Sequence, residues 1–312
     1  MCIRDRNATA PIVLRSLSLD RGQSSVLRAL SWAVSEGSAV GLVGRNGAGK
    51  SSLLHVMLGL LLPTGGECLT LGQDARRIDD DSLSRVGFVD QHYELLDWLT
   101  VEEHIQYVAL MRRNWDGALE AELRESFDLN EVAGKRVGDL SAGVRQRLAA
   151  LLALCHRPDL LLLDEPVSAQ DPIFRSVVLD AFRRRVITDG TTMVLSSHVL
   201  RDIESVVDRI AVLDGGQVTV DESLDTLKEN HQQWVVVGGK LTDEEIAGLP
   251  YVRRHERSGA ALQLYVRAGE AERRELEARH DLMIKVRALP LDRLFPLLVG
   301  AGARAAAKEV NA

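Results

Sequence analysis

Gly44-Arg45-Asn46-Gly47-Ala48-Gly49-Lys50-Ser51 follows the apolar run Ala39-Val40-Gly41-Leu42-Val43 and leads into Ser52-Leu53-Leu54-His55-Val56-Met57-Leu58. The order is strand, glycine-rich loop, helix, with the spacing G-x-x-x-x-G-K-S. A triphosphate needs donors packed closely around its charges. Glycines let successive backbone N–H groups turn inward as an anion nest, and the helix that follows presents its positive end. Lys50 is placed to bridge the β- and γ-phosphates and the Ser51 hydroxyl to hold Mg²⁺, with Gly44, Asn46, Gly47, Gly49 and Ser52 completing the cradle. A glycine turn with a chance lysine is the plainer reading. The strand before it and the helix after it favour the phosphate site.

Around this stretch, 312 residues are enough for one large domain and a smaller one, and 46% hydrophobic content supplies a core. A formal charge of -7 argues against a nucleic-acid binder, whose footprint is a basic face. Cys2, Cys68 and Cys155 are too scattered for a disulfide frame or a metal knuckle and suit a reducing cytosol. No uninterrupted apolar stretch is long enough to span a bilayer. The first residues, up to about Ala10, carry no signal-peptide pattern and read as disordered.

Along the chain, strands are expected at Ile12 to Leu19, Ser31 to Val34, Glu67 to Leu71 and Arg85 to Val89, with the acidic Asp79-Asp80-Asp81 as a separator. Thr100 and Glu103 form a capping box that opens a helix, the start of a helical section at about 92–140. Strands at Leu160–Asp164, Thr192–Ser196, Arg209–Leu213 and Gln217–Val220 alternate with helices, which predicts a parallel sheet covered on both faces. The character changes near Asn230. Residues 231–300 read β-α-β-β-α-β plus a final helix, a small ferredoxin-like module, and 301–312 are an alanine-rich tail.

Leu160-Leu161-Leu162-Leu163-Asp164-Glu165 is a buried strand ending in two carboxylates. An ordinary acidic strand end is the plain alternative. With the phosphate loop upstream, Asp164 is placed to face Mg²⁺ and Glu165 to accept a proton from an attacking water. Leu140-Ser141-Ala142-Gly143-Val144-Arg145-Gln146-Arg147 resembles the signature motif of ATP-binding cassette (ABC) ATPases. Val86 to Gln91 is similar to the strand leading to that family's Q-loop, Ser168-Ala169-Gln170-Asp171 to its D-loop, and Thr192 to His198 to its switch-histidine strand. Leu291–Phe295 is similar to the C-terminal end of exporter-type subunits.

The resemblance spans residues 11–230 and implies an α/β P-loop NTPase cassette: a mostly parallel sheet core with an antiparallel β subdomain and a helical subdomain. It implies ATP and Mg²⁺ as cofactors, with Ser51, Gln91 and Asp164 at the metal and Glu165, His198 and Gln91 catalytic. Ser141, Gly143 and Asp171 would contribute to nucleotide binding, the first two by capping the γ-phosphate held by a second copy. Three positions depart from the family's usual residues: Ala142 and Val144 in the signature, and Gln170 where leucine is commoner. The loop Asp20-Arg21-Gly22-Gln23 carries no aromatic to stack on adenine, leaving the planar Arg21 guanidinium as the candidate.

On this resemblance the chain is expected to be the ATPase subunit of a transporter of the exporter or ABC-2-like type. It would work as a homodimer, with separately encoded multi-span permease subunits, at the inner face of the cell membrane. A soluble ABC ATPase acting on a macromolecular complex is the alternative; the single cassette and acidic balance disfavour it. A nucleotide sensor without hydrolysis is a third class, opposed by Lys50, Asp164, Glu165 and His198 together.

Overall fold

The fold is described from a computed structural model covering residues 10–91, 94–237, 241–258 and 261–299. The expectations for residues 1–9 and for the tail at 301–312, and Cys2 with them, lie outside the described residues. The chain divides into two units, Met1–Asp221 and Glu222–Ala312. That division comes earlier than the change of character near Asn230, because a helix before Asn230 belongs to the second unit.

In the first unit, β1 (Ile12–Arg21) and β2 (Ser24–Val34) form an antiparallel hairpin, followed by β3 (Ala39–Val43) and α1 (Lys50–Met57). β4 (Gly65–Thr70), β5 (Gln73–Asp74), α2 (Asp80–Ser84) and β6 (Val86–Val89) come next. The helical section contains α3 (Val101–Met111) and α4 (Gly117–Ser126). Then follow α5 (Ala142–Leu154), β7 (Leu160–Asp164), α6 (Pro172–Asp189), β8 (Thr192–Ser196), α7 (Leu200–Val206), β9 (Arg209–Asp214) and β10 (Gln217–Ser223).

These strands make two sheets, β2-β1-β4-β5 and β10-β9-β3-β8-β7-β6. In the second, β9, β3, β8, β7 and β6 pair parallel. Every residue of β3, β7 and β8 is buried, as continuous apolar runs require when both faces are covered. Helix α1 lies in the core between the sheets. Its Leu53, Leu54, Val56 and Met57 share one apolar cluster with Ile12, Leu17 and Leu27 on one side and Val40, Leu42 and Leu162 on the other. Burying side chains of this size stabilises by about 1.5–3 kcal/mol each, which fixes the start of the helix rigidly against β3.

One local expectation needs correction, and one gains detail. The strand expected from Ser31 begins at Ser24, because pairing of Ser24 with Arg21 closes a hairpin whose exposed half is polar. The acidic separator is a short helix: Asp79 accepts from Ser82 N at 2.8 Å and caps α2. The capping box at Thr100 is present in both directions, Glu103 N to Thr100 Oγ1 at 3.2 Å and Thr100 N to Glu103 Oε2 at 2.8 Å.

The second unit holds α8 (Leu224–Asn230), β11 (His231–Val237), α9 (Asp243–Ala247), β12 (Val252–Ser258), β13 (Ala261–Arg267), α10 (Glu270–His280), β14 (Met283–Ala288) and α11 (Leu291–Leu298). Its strands run β12-β13-β11-β14, every pair antiparallel. Trp234, Val236, Leu264 and Ile284 of the sheet pack with Ile246 and Leu276 of the helices.

Candidate functional site

Because β3, β8, β7 and β6 run side by side in one direction, their carboxyl ends share one edge of the sheet. In open sheets of this kind, ligands bind along that edge. Here it gathers the glycine loop after β3, Ser197 and His198 after β8, Asp164 and Glu165 at the end of β7, and Asp90 and Gln91 after β6.

The loop is held by its glycines. Gly47 and Gly49 have φ of 79° and 101°, a region that favours glycine. At Gly44 a Cβ would come within 2.5 Å of the Leu213 carbonyl. Gly49 is the N-cap of α1, and no side chain caps that helix. Its first N–H groups therefore remain for an anion. Lys50 Nζ folds back over the loop and donates to the Gly44 carbonyl at 3.0 Å and the Arg45 carbonyl at 3.4 Å. Burial lowers the Lys50 pKa, while the Glu165 and Asp164 carboxylates push it back up. Ser51 and Ser52 are half-buried in the first turn, and Asn46 is exposed in the loop.

The two carboxylates differ. Asp164 is almost wholly buried, with one oxygen accepting the Ser196 hydroxyl. Its Oδ2 is buried with no hydrogen-bond partner. A buried carboxylate oxygen left so is costly unless a cation or ordered water meets it. Glu165 is also buried, in a left-handed backbone with φ of 51°. Its N–H donates to the Ser196 carbonyl at 3.1 Å, and its Oε2 lies 2.8 Å from His198 Nδ1. A carboxylate only accepts, so Nδ1 carries the hydrogen.

Ser141 caps α5, accepting from Val144 N at 3.4 Å. Behind it lies a buried amide network that the sequence reading missed. Gln146 donates to the Glu165 carbonyl at 3.0 Å, while its Oε1 accepts from Ala169 N at 3.1 Å. Gln170, the departure in the D-loop, donates to the Gly143 carbonyl at 2.7 Å and to Gln146 Oε1 at 3.2 Å. A Cβ at Gly143 would sit 3.1 Å from the Ala169 carbonyl, so this glycine also lets the D-loop pack closely. Asp171 caps α6, accepting from Ile173 N at 2.9 Å and Phe174 N at 3.1 Å.

Lys50, Asp164, Glu165 and His198 are thus linked by contact or charge. Gln91 is exposed just past β6 on the same edge, and Arg21 is exposed at the end of β1. Ser196 was another omission. Its register opposite Asp164 emerges only once β7 and β8 are known to pair. No group of three His, Cys, Asp or Glu among the described residues could hold a metal alone. The oxygens of Asp164 and Ser51 suit a hard cation that takes further ligands from phosphate and water.

A family profile described as "ABC transporter" matches residues 27–168. Nod factor export ATP-binding protein I of Rhizobium sp. (strain N33) is 32% identical over 288 residues, covering 89% of this chain and 93% of that protein. The uncharacterized ABC transporter ATP-binding protein YxlF of Bacillus subtilis (strain 168) is 34% identical over 223 residues, covering 70% and 73%. A solved ATP-binding subunit of an ABC transporter superposes with a TM-score of 0.64 at 25% identity, covering 70% of this chain and 91% of that one. The dimeric post-hydrolysis state of the ATP-binding cassette MJ0796, bound to ADP and Pi, gives 0.61 at 26% identity over 68% and 98%.

Proposed function

The chain belongs to the ABC transporter family as an ATP-binding, ATP-hydrolysing subunit, and from that premise we propose how its residues divide the work. The nucleotide phosphates lie in the loop 44–49 and at the start of α1, with Lys50 on the β- and γ-phosphates and Gly44, Asn46, Gly47, Gly49, Ser51 and Ser52 around them. Ser51, Asp164 and Gln91 would hold Mg²⁺, which would neutralise phosphate charge. Glu165 is the base. With Oε2 engaged by His198, Oε1 takes a proton from water as the water oxygen bonds to the γ-phosphorus and the bond to the β-phosphate oxygen breaks. ADP and phosphate result. General-base help of this kind is worth about 10²–10⁴ in rate.

The observation that carries this reading is the Glu165–His198 contact of 2.8 Å beside the buried, partnerless Asp164 Oδ2. Glu165→Gln should lower turnover by about a thousandfold while ATP still drives dimer formation. Retained turnover would reject Glu165 as the base.

Two copies are proposed to close on two ATP molecules, each lending Ser141, Gly143 and Asp171 to its partner's site. Dimeric relatives support that arrangement. Among the described residues no helix is long and apolar enough to cross a membrane. Movement of cargo is assigned in this reading to separate membrane subunits, docked at the helical section. Trp98, Leu110 and Met111 are 68%, 89% and 67% exposed there, an apolar surface suited to short helices of such a partner. The exporter names among the relatives support outward transport from the cytoplasmic face. The second unit is read as a ferredoxin-like module that braces its own helix α8, Leu224–Asn230, rather than as a second site.

A further inference from the structure

His55 sits on α1, the helix that begins with Lys50 and Ser51. Its Nε2 is 3.1 Å from Asp90 Oδ2, and its ring meets Phe88 edge-on with centroids 5.9 Å apart. A carboxylate only accepts, so Nε2 donates. The two side chains are 23% and 30% exposed, which screens the pair less than an open surface pair would be. β6 ends at Val89, so Asp90 and Gln91 lie beyond the strand and its ladder of hydrogen bonds. His55 grips this segment one residue before Gln91.

We propose that His55 is a positioning residue for hydrolysis: through Asp90 it ties the segment carrying Gln91 to the helix that carries Lys50 and Ser51. Gln91 is then set relative to the phosphates by the same rigid element that binds them. His55 touches no reacting atom, and the inference rests on the role given above to Gln91.

The test uses the full chain. His55→Leu removes the donor but keeps an apolar neighbour for Phe88, whereas His55→Gln keeps an N–H at similar reach. His55→Leu should lower kcat about fivefold to tenfold with KM for ATP within about twofold, the size of one net hydrogen bond. His55→Gln should restore at least about half of kcat. Asp90→Ala should match His55→Leu, and the double variant should fall no further, since both remove the same bond. Unchanged kcat in His55→Leu, additive losses, or a rise in KM at constant kcat would overturn the proposal. Should His55→Leu fail to fold, Asp90→Ala decides, because Asp90 lies outside the core. Glu165→Gln keeps the two readings apart. If it still turns over, the hydrolytic assignment fails; if it is dead while His55→Leu is normal, only this inference fails.

Discussion

Two helices, α1 and α6, each follow the carboxyl end of a parallel strand, yet they begin in opposite ways. α6 starts with its own anion: Asp171 accepts two backbone N–H groups, and Pro172 opens the helix. α1 starts at Gly49 with no side chain over its first turn. A helix start that carries its own cap has spent its donors on itself. One that lacks a cap keeps them for a ligand, and the ligand then completes the helix. The glycine loop is thus a helix start left unfinished on the inside, with Lys50 folded over it as a placeholder.

The sharpest way to break this contrast is Lys50→Ala. Losing the charge-assisted contacts to phosphate should weaken ATP binding by about 3 kcal/mol, roughly a hundredfold, read by calorimetry. Gly49→Ala attacks the same end through the backbone. With φ at 101° and its Cβ 3.0 Å from a Val26 methyl carbon, it should cost about 2 kcal/mol of folding stability and also weaken nucleotide binding. Gln170→Leu restores the family's commoner residue but takes the donor from the Gly143 carbonyl. About 1–2 kcal/mol should be lost in denaturant unfolding. Asp171→Ala should cost about 1 kcal/mol of stability and leave the ATP affinity of the single chain unchanged. A large loss of affinity there would show that α6 is not closed in the way its cap implies.

What could be read from the chain is whatever is local. The glycine loop, the strand ending in Asp164-Glu165, the signature Ser141 and the capping box at Thr100 are each written within a few consecutive residues, where spacing alone states the chemistry. Gln146 and Gln170 were illegible for the opposite reason. Their partners are backbone groups of Glu165, Ala169 and Gly143, brought together by packing rather than by neighbourhood. A glutamine on a helix looks solvated until a loop folds over it. Ser24 and Ser25 likewise fall ahead of the strand expected from Ser31, because only pairing with β1 makes them strand. The end of the first unit at Asp221 was hidden by a continuous strand, β10, that runs across it.

The left-handed backbone at Glu165, φ 51°, has an evolutionary consequence. A non-glycine residue there costs about 1–2 kcal/mol that glycine would not incur. Natural selection for hydrolysis must therefore act continuously against an easier, better-folding alternative at that one codon. In a copy of the gene released from the need to turn over ATP, glycine at 165 is the drift to look for.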